Sequence, residues 1–375
     1  MHLVRVRHLF YPDLPKDYIF ELCQRQASLG YDLDLVTWNR RRRNLPTESM
    51  AGFRVWRVSG PNLAFGAGIA EFPFMPGLRK MVSSLGPEIV HAESHLFLST
   101  AQAIRAANEL GIPGVVTVHG VTARRNAFVN LAQDAYIRTI GRRIFSGANR
   151  VICLTESDAT EIAGYGCPRA KISVVPNGVD LELFKPSGRP KEDLVVWTGR
   201  FVPEKGLPDL LRAAKIISEE FRRVKFLLVG FGPGRSKIEQ MARDVGLTPG
   251  IVEFRGPVTR EEVAQILRQA TVFAFPSRKE GLPMSILEAM ASGKPIVSYR
   301  ISAIERVITH GEDGLLVAPG DIKGLASAIK ALLLDDNLRV RLGGKARSTA
   351  LEKYSWDFVL HELDDIYQAE LEARR

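Results

Sequence analysis

PSRKEGLPMSILEAMASG, residues 276–293, follows the apolar run VFAF at 272–275, and the junction between them decides the fold. Four apolar residues bounded by a loop read as a buried strand. Gly281 permits a tight turn, and Pro283 stands where a first-turn proline is tolerated. Leu287, Ala289, Met290 and Ala291 are good helix formers, and Gly293 ends the helix. A strand that stops, turns through glycine and enters a helix delivers its loop to the carboxyl edge of a parallel sheet. Open α/β sheets bind their ligands at that edge. The same residues set one carboxylate, Glu280, in the loop and a second, Glu288, inside the helix. Two acids offered there suit sugar hydroxyls. An ordinary strand–loop–helix with one solvated glutamate fits the spacing equally well, so the pattern alone leaves both readings open.

Outward from this unit, the second half of the chain keeps the same alternation. Strands at 194–198, 224–229, 251–254, 272–275, 295–298 and 315–317 are separated by helices near 206–219, 235–245, 260–269, 284–291, 303–308 and 321–334. In the first half, 3–9, 33–38, 53–58, 89–91, 114–119 and 151–154 read as strands, and 18–29, 99–110 and 133–145 as helices. Residues 173–175 close that sheet before Pro176. Residues 181–192, with Pro186, Gly188 and Pro190 among charges, look like a linker. The last segment, 355–372, carries Trp356, Val359, Leu360, Leu363, Ile366 and Tyr367 at helical spacing. The fold class is α/β, with two Rossmann-like doubly wound domains at 1–185 and 186–354 and a C-terminal helix within 355–375. A chain of 375 residues is long for one core, which agrees with two.

Composition narrows the class. Hydrophobic residues at 45% and a mean hydropathy of −0.03 describe an ordinary globular protein. Without an 18-residue apolar stretch or a signal-type N-terminus, a cytosolic location is expected. Cys23, Cys153 and Cys167 lack metal-type spacing and read as free thiols in a reducing compartment. No His/Cys/Asp cluster suggests a metal. The net charge is +9, and most of it sits in the first half: 22 Lys and Arg against 16 Asp and Glu in residues 1–185, 29 against 26 in 186–375. Arginines at 40–43 form an unbroken basic run, and Arg124, Arg125, Arg138, Arg142 and Arg143 bracket an apolar helix-like segment. Such an element can lie on an anionic membrane at the inner face of the cell or meet an anionic acceptor. A solvated surface is the plainer reading of the run at 40–43. No nucleic-acid recognition motif accompanies the charge.

The block at 276–293 resembles the retaining GT-B glycosyltransferases of the family 4 type, where two glutamates separated by seven residues mark the donor-sugar site. The resemblance continues through PNGVD at 176–180, GRFVPEKG at 199–206, VGFGPG at 229–234, FRGPV at 254–258 and GEDGLLVAPGD at 311–321. It is thinner earlier, at EIVHAES (88–94), TVHG (117–120) and ICLTESD (152–158). It implies two domains facing across a cleft, with the C-terminal helix packing back on the first. It also implies metal-independent, cofactor-free transfer of a hexosyl unit from a UDP- or GDP-sugar to a hydroxyl acceptor, with retention. The acceptor would be lipid-linked, a polysaccharide or a small molecule.

In that frame Arg200 and Lys205 are the cations that meet the departing diphosphate, with Gly199 and the helix start near Gly206 adding backbone donors. Glu280 and the backbone of Gly281, Leu282, Pro283 and Met284 meet the donor sugar, and Glu288 the ribose. Gly256 and Val258 hold the base, and Gly232 lets backbone approach the nucleotide. VGFGPG is not a full dinucleotide fingerprint. His119 reaches the donor sugar from the first domain, although a lone histidine is more often structural. Lys16, His91 and His95 are acceptor-side candidates, the histidines being structural otherwise. Ser157 reads better as a helix N-cap than as a cleft contact. No nucleophile is assigned, since front-face attack assisted by the leaving phosphate needs none.

Two departures stand out. The loop YPDLPKD at 11–17 has no glycine where the family commonly has a glycine-rich one, and 301–305 keeps Glu305 without the usual glycine pair. Competing readings are a GT-B nucleotide-sugar 2-epimerase or hydrolase, and a catalytically silent sugar-nucleotide-binding subunit.

Overall fold

The structure is a computed structural model that describes residues 1–11, 17–40, 47–63, 71–121, 127–188, 193–247 and 249–374. Lys16, the arginines at 41–43, Arg124 and Arg125 lie outside those residues. The first sheet contains β1 (His2–Arg7), β2 (Asp32–Trp38), β3 (Thr47–Met50), β4 (Phe53–Val58), β5 (Ile89–Glu93), β6 (Gly114–Val118), β7 (Arg150–Cys153) and β8 (Ile172–Val174). Its order is β3-β4-β2-β1-β5-β6-β7-β8, parallel throughout except for β3 against β4. The second sheet contains β9 (Leu194–Arg200), β10 (Lys225–Phe231), β11 (Val252–Arg255), β12 (Val272–Phe275), β13 (Ile296–Tyr299) and β14 (Leu315–Val317), in the order β11-β10-β9-β12-β13-β14 and all parallel.

Parallel strands with helical crossovers are covered on both faces, so their residues read as unbroken apolar runs. Val195, Val196 and Trp197 in β9 and all four residues of β12 are fully buried accordingly. In each sheet the chain winds outward on one side of its first strand and then returns to the other. The direction reverses between β1 and β5 in one sheet and between β9 and β12 in the other. Those are the two places where loops diverge and a ligand can enter.

The chain forms two compact units, Met1–Val175 with Leu360–Arg375, and Pro176–Val359. The second unit therefore starts earlier than the boundary expected at 186. Its first residues are packed and not linker-like: Val179 bridges to Ser355, Phe184 is fully buried, and Arg347 donates to the carbonyls of Leu181 and Phe184. The C-terminal helix, Trp356–Glu372, joins the first unit from Leu360 onward. There Arg150 pairs with Glu370, Tyr31 donates to Asp364, and Tyr367 is fully buried.

The helix expected at 133–145 is observed as Ala127–Tyr136, a π-helical turn at Ile137–Gly141, and Arg142–Gly147. Ile137, Gly141, Ile144 and Phe145 form its buried face. Strand β3 and the helices Leu78–Leu85, Glu156–Gly164 and Asp336–Lys353 were not read from the sequence. The last of these lacks an apolar stripe because it packs through small residues, including Gly343, Ala346 and Ala350. A Cβ on Gly343 would stand 2.3 Å from the Gly293 carbonyl oxygen. The helix Glu156–Gly164 is capped by Thr155, whose side chain accepts from the Asp158 N–H, so Ser157 lies in the first turn and is not the cap.

Candidate functional site

In the second unit the exits of β9 and β12 are stitched together at the switch point. After β9 come a short 3₁₀ turn, Pro203–Lys205, and the helix Leu207–Glu220. Gly206 joins them with φ of +66°, and a Cβ there would stand 1.9 Å from the Pro276 carbonyl oxygen. Only glycine meets both demands. From the β12 side, the Arg278 N–H donates to the Glu204 carbonyl at 2.7 Å and the Ser277 hydroxyl donates to the same oxygen at 3.1 Å. Arg278 also donates to Asp209 at 2.6 Å, and the Tyr299 hydroxyl to the same carboxylate at 2.9 Å.

On this frame Lys205 Nζ donates to Glu280 Oε1 at 2.6 Å and lies 5.0 Å from the centre of the Phe275 ring. Both side chains are largely buried, at 18% and 8% exposure. Arg200 ends β9 exposed, with no ion pair among the described residues. Pro283 occupies the N-cap of the helix Met284–Ala291, and Glu288 on that helix lies 3.9 Å from Arg260 Nε. Arg260 follows the FRGPV loop and opens a helix capped by a Thr259–Glu262 box. The glycines of VGFGPG find their close partners inside the protein. A Cβ on Gly230 would meet the Gly199 oxygen at 1.9 Å, and one on Gly232 the Phe201 backbone at 2.7 Å. They seat the loop bearing Arg200.

The first unit has its own polar cluster at its switch point. Arg5, fully buried in β1, donates to one carboxylate oxygen of Glu93, to Gln26 at 2.9 Å and to the Tyr367 hydroxyl at 3.0 Å. The other oxygen, Glu93 Oε2, lies 2.7 Å from His119 Nε2. Burial pushes the Glu93 carboxyl up, but Arg5, with His91 and His119, outweighs it and holds the group well below the usual carboxylate range. His119 is partly exposed. Arg7 forks onto both oxygens of Asp17 at 2.9 and 2.7 Å, and Asp17 caps the helix Tyr18–Ser28 by accepting from Ile19 and Phe20.

The family comparisons agree with this architecture. The chain matches the family described as Glycosyltransferase Family 4 over residues 17–183 and the one described as Glycosyl transferases group 1 over residues 192–335. A D-inositol 3-phosphate glycosyltransferase from Nocardia farcinica is 30% identical over 306 residues, 76% of this chain and 67% of that protein. One from Streptomyces avermitilis is 28% identical over 392 residues, 96% and 83%. The chain belongs to the family 4 glycosyltransferases. Among solved structures, a sucrose-phosphate synthase from Thermosynechococcus elongatus superposes with a TM-score of 0.81 at 20% identity, covering 99% of both chains. Anabaena HepE in complex with UDP and glucose superposes with a TM-score of 0.78 at 17% identity, covering 98% of this chain and all of that one. The fold is GT-B.

Some expectations for this glycosyltransferase need correcting. His91 is no acceptor contact: it is buried, with Nδ1 on the Tyr367 hydroxyl at 2.6 Å and Nε2 on Thr117 Oγ1 at 2.7 Å. His95 is buried against Phe145, ring centres 5.6 Å apart. Burial pushes their pKa values down, to about 3 and about 4. Lys16 falls outside the described residues. Arg40, the described member of the basic run, pairs with Glu71. No helix of the described residues is long and apolar enough to cross a membrane. Sequence reasoning missed Arg5, Glu93 and Asp209. An arginine inside the apolar strand LVRV was the available signal for the first.

Proposed function

We propose that this enzyme moves a hexosyl unit from a UDP-sugar, with a GDP-sugar as the alternative donor, to a hydroxyl acceptor with retention and without a metal ion. The observation that carries the reading is the Lys205–Glu280 pair, a cation and a carboxylate delivered by neighbouring strands to one switch point. HepE, which shares the fold, was captured with UDP and glucose, and that supports uridine.

Transfer breaks the bond between the anomeric carbon and the diphosphate oxygen. Negative charge gathers on the leaving diphosphate while the sugar gains oxocarbenium character. The exposed Arg200 guanidinium and the Lys205 ammonium meet that charge. Lys205 has three donors, so it serves a phosphate oxygen while still holding Glu280. Glu280, oriented through Oε1, turns its other oxygen to a sugar hydroxyl, and Glu288 takes the ribose. Gly256 and Val258 carry the base, with Gly281 to Met284 along the sugar. The acceptor hydroxyl attacks the face the phosphate leaves and passes its proton to a phosphate oxygen, so no protein nucleophile is required.

For the acceptor, the start of the helix Tyr18–Ser28 is already filled by the protein's own Asp17 carboxylate, itself neutralised by Arg7. The Ile19 and Phe20 N–H groups, which would otherwise meet a phosphate, already donate to that carboxylate. The test is a thermal-shift panel of UDP-, GDP- and ADP-sugars followed by NMR of the product anomer. Stabilisation by one sugar nucleotide and a product of unchanged anomeric configuration are expected. Inversion, or turnover only after adding Mg²⁺ to EDTA-treated enzyme, would overturn the mechanism.

A further inference from the structure

We infer that a row of four aromatic rings in the first unit, His8, Phe97, Phe72 and Tyr136, seats a neutral saccharide or cyclitol ring, and that this ring carries the acceptor hydroxyl. The acceptor half of the inference rests on the transferase reading above; the binding half stands without it.

Two loops at the switch point of the first sheet supply the centre of the row. His8 follows β1 and Phe97 follows β5, and their rings stack with centres 3.4 Å apart and planes 13° from parallel. The Phe72 ring lies 6.5 Å from that of Phe97 and meets Tyr136 edge-on at 5.7 Å. All four residues are half-buried. Aromatic side chains gain most from leaving water, so a linked row that stays partly in it marks a place where an apolar face binds.

Polar atoms within the row argue for a sugar over a hydrocarbon. His8 Nδ1 and the Tyr136 hydroxyl are buried and have no hydrogen-bond partner among the described residues. Ser99, fully buried two residues after Phe97 at the start of the helix Leu98–Leu110, has an unpaired hydroxyl as well. Buried polar groups are normally paired, and each one left alone costs free energy. An alkyl or prenyl chain would leave that cost standing. A pyranose or cyclitol lays its C–H face on the rings, and the hydroxyls around its edge pair such atoms. These atoms sit on the buried side of half-exposed rings, so the rings part as the ligand seats.

Charge narrows the ligand further. Arg7, next to His8 in the chain, is committed to both oxygens of Asp17. Burial first, then Arg7 and His119, pushes the His8 imidazole down to about 3, so that ring is uncharged at neutral pH. The row thus brings no cation of its own, and a phosphate or carboxylate on the ligand draws nothing from it. A neutral polyol ring is the class that remains.

The test is saturation-transfer NMR on the whole enzyme without donor. Its probes are the methyl α-pyranosides of glucose, galactose and mannose, N-acetylglucosamine, myo-inositol, glucose 6-phosphate and farnesol. At least one neutral ring should take up saturation on its C–H protons and bind more tightly than glucose 6-phosphate. Silence from every neutral ring, a preference for the phosphorylated sugar, or binding of farnesol alone would overturn the inference. Tyr136→Phe keeps the ring and removes the hydroxyl. Its melting temperature should be unchanged or higher, since that hydroxyl had no partner to lose, while Kd for the neutral ring rises about 3- to 10-fold, the worth of one hydrogen bond. Phe97→Leu should raise Kd roughly tenfold by removing the ring that stacks on His8. Wild-type affinity in both variants would place the ligand elsewhere and overturn the inference. A neutral ring that binds here yet is glycosylated by no UDP- or GDP-sugar would uphold the seat and sink its acceptor half together with the transferase reading, which keeps the two failures apart.

Discussion

Lys205 and Glu280 hold each other while largely out of water, so removing either leaves a stranded partner. Lys205→Ala should lower kcat by about 100-fold, the scale of losing one donor to a developing anion. It should also lower the melting temperature, because the Glu280 carboxylate loses its counter-charge. Arg200→Ala, exposed and without an ion pair among the described residues, should lose turnover by a similar factor with an unchanged melting temperature. Initial rates beside calorimetry separate the two cases, and wild-type turnover in both variants would dismiss the diphosphate role. At this scale Arg200, Lys205, Glu280 and Glu288 stood out through the family resemblance, since type and spacing alone left a solvated reading open. Arg5 and Glu93 did not. Their meaning depends on β1 and β5 lying side by side with Arg5 paired to His91 in register, which the 85 residues between them, 6–90, do nothing to disclose.

Elements are held in place here by close backbone approaches. Gly206→Ala combines a left-handed φ with a Cβ 1.9 Å from the Pro276 oxygen, so it should destabilise the second unit by about 2 kcal/mol or more. The donor-induced thermal shift should vanish with it, because the exits of β9 and β12 must part. A variant that keeps that shift would show that the stitching does not shape the donor site. The helical segment ending at Gly147 has Leu131, Arg138, Arg142 and Arg143 exposed. We propose that this face meets anionic lipid. Charge reversal at Arg142 and Arg143 should reduce co-sedimentation with phosphatidylglycerol vesicles, and unchanged sedimentation would return the segment to an ordinary solvated surface. Most longer helices with an apolar stripe were readable from periodicity, whereas the eight-residue Leu78–Leu85 was too short to stand out. Asp336–Lys353 was not readable either, because small residues packing backbone to backbone leave no stripe to find.

At the scale of the whole molecule, pH dependence follows from the buried imidazoles. Burial first, then Arg5, lowers the His91 pKa to about 3 from an ordinary 6.5. The unfolded chain takes the proton below 6.5 while the folded one refuses it until about 3. Stability is thus complete above 6.5 and declines as pH falls through that window. The groups facing His91 are Arg5, Glu93, Thr117, His119 and Tyr367. The melting temperature should fall between pH 6.5 and 4.5, and His91→Gln should flatten the decline. A flat wild-type profile would count against a neutral His91. Tyr367→Phe should lower the melting temperature of the first unit as well, since it removes a donor or acceptor from both Arg5 and His91.

The sequence by itself determined the alternation of strand and helix, the two parallel sheets and the four charged residues of the second unit's edge, because periodicity, glycine punctuation and residue type are local properties. Tertiary structure alone decided where the first unit really ends, which glycines seat a neighbouring loop, and that His91 is core while His119 is a partner of Glu93. Those outcomes depend on which backbones come to lie within hydrogen-bonding distance, and burial, which turns an ordinary acid and arginine into a locked pair, exists only once the chain has closed around them.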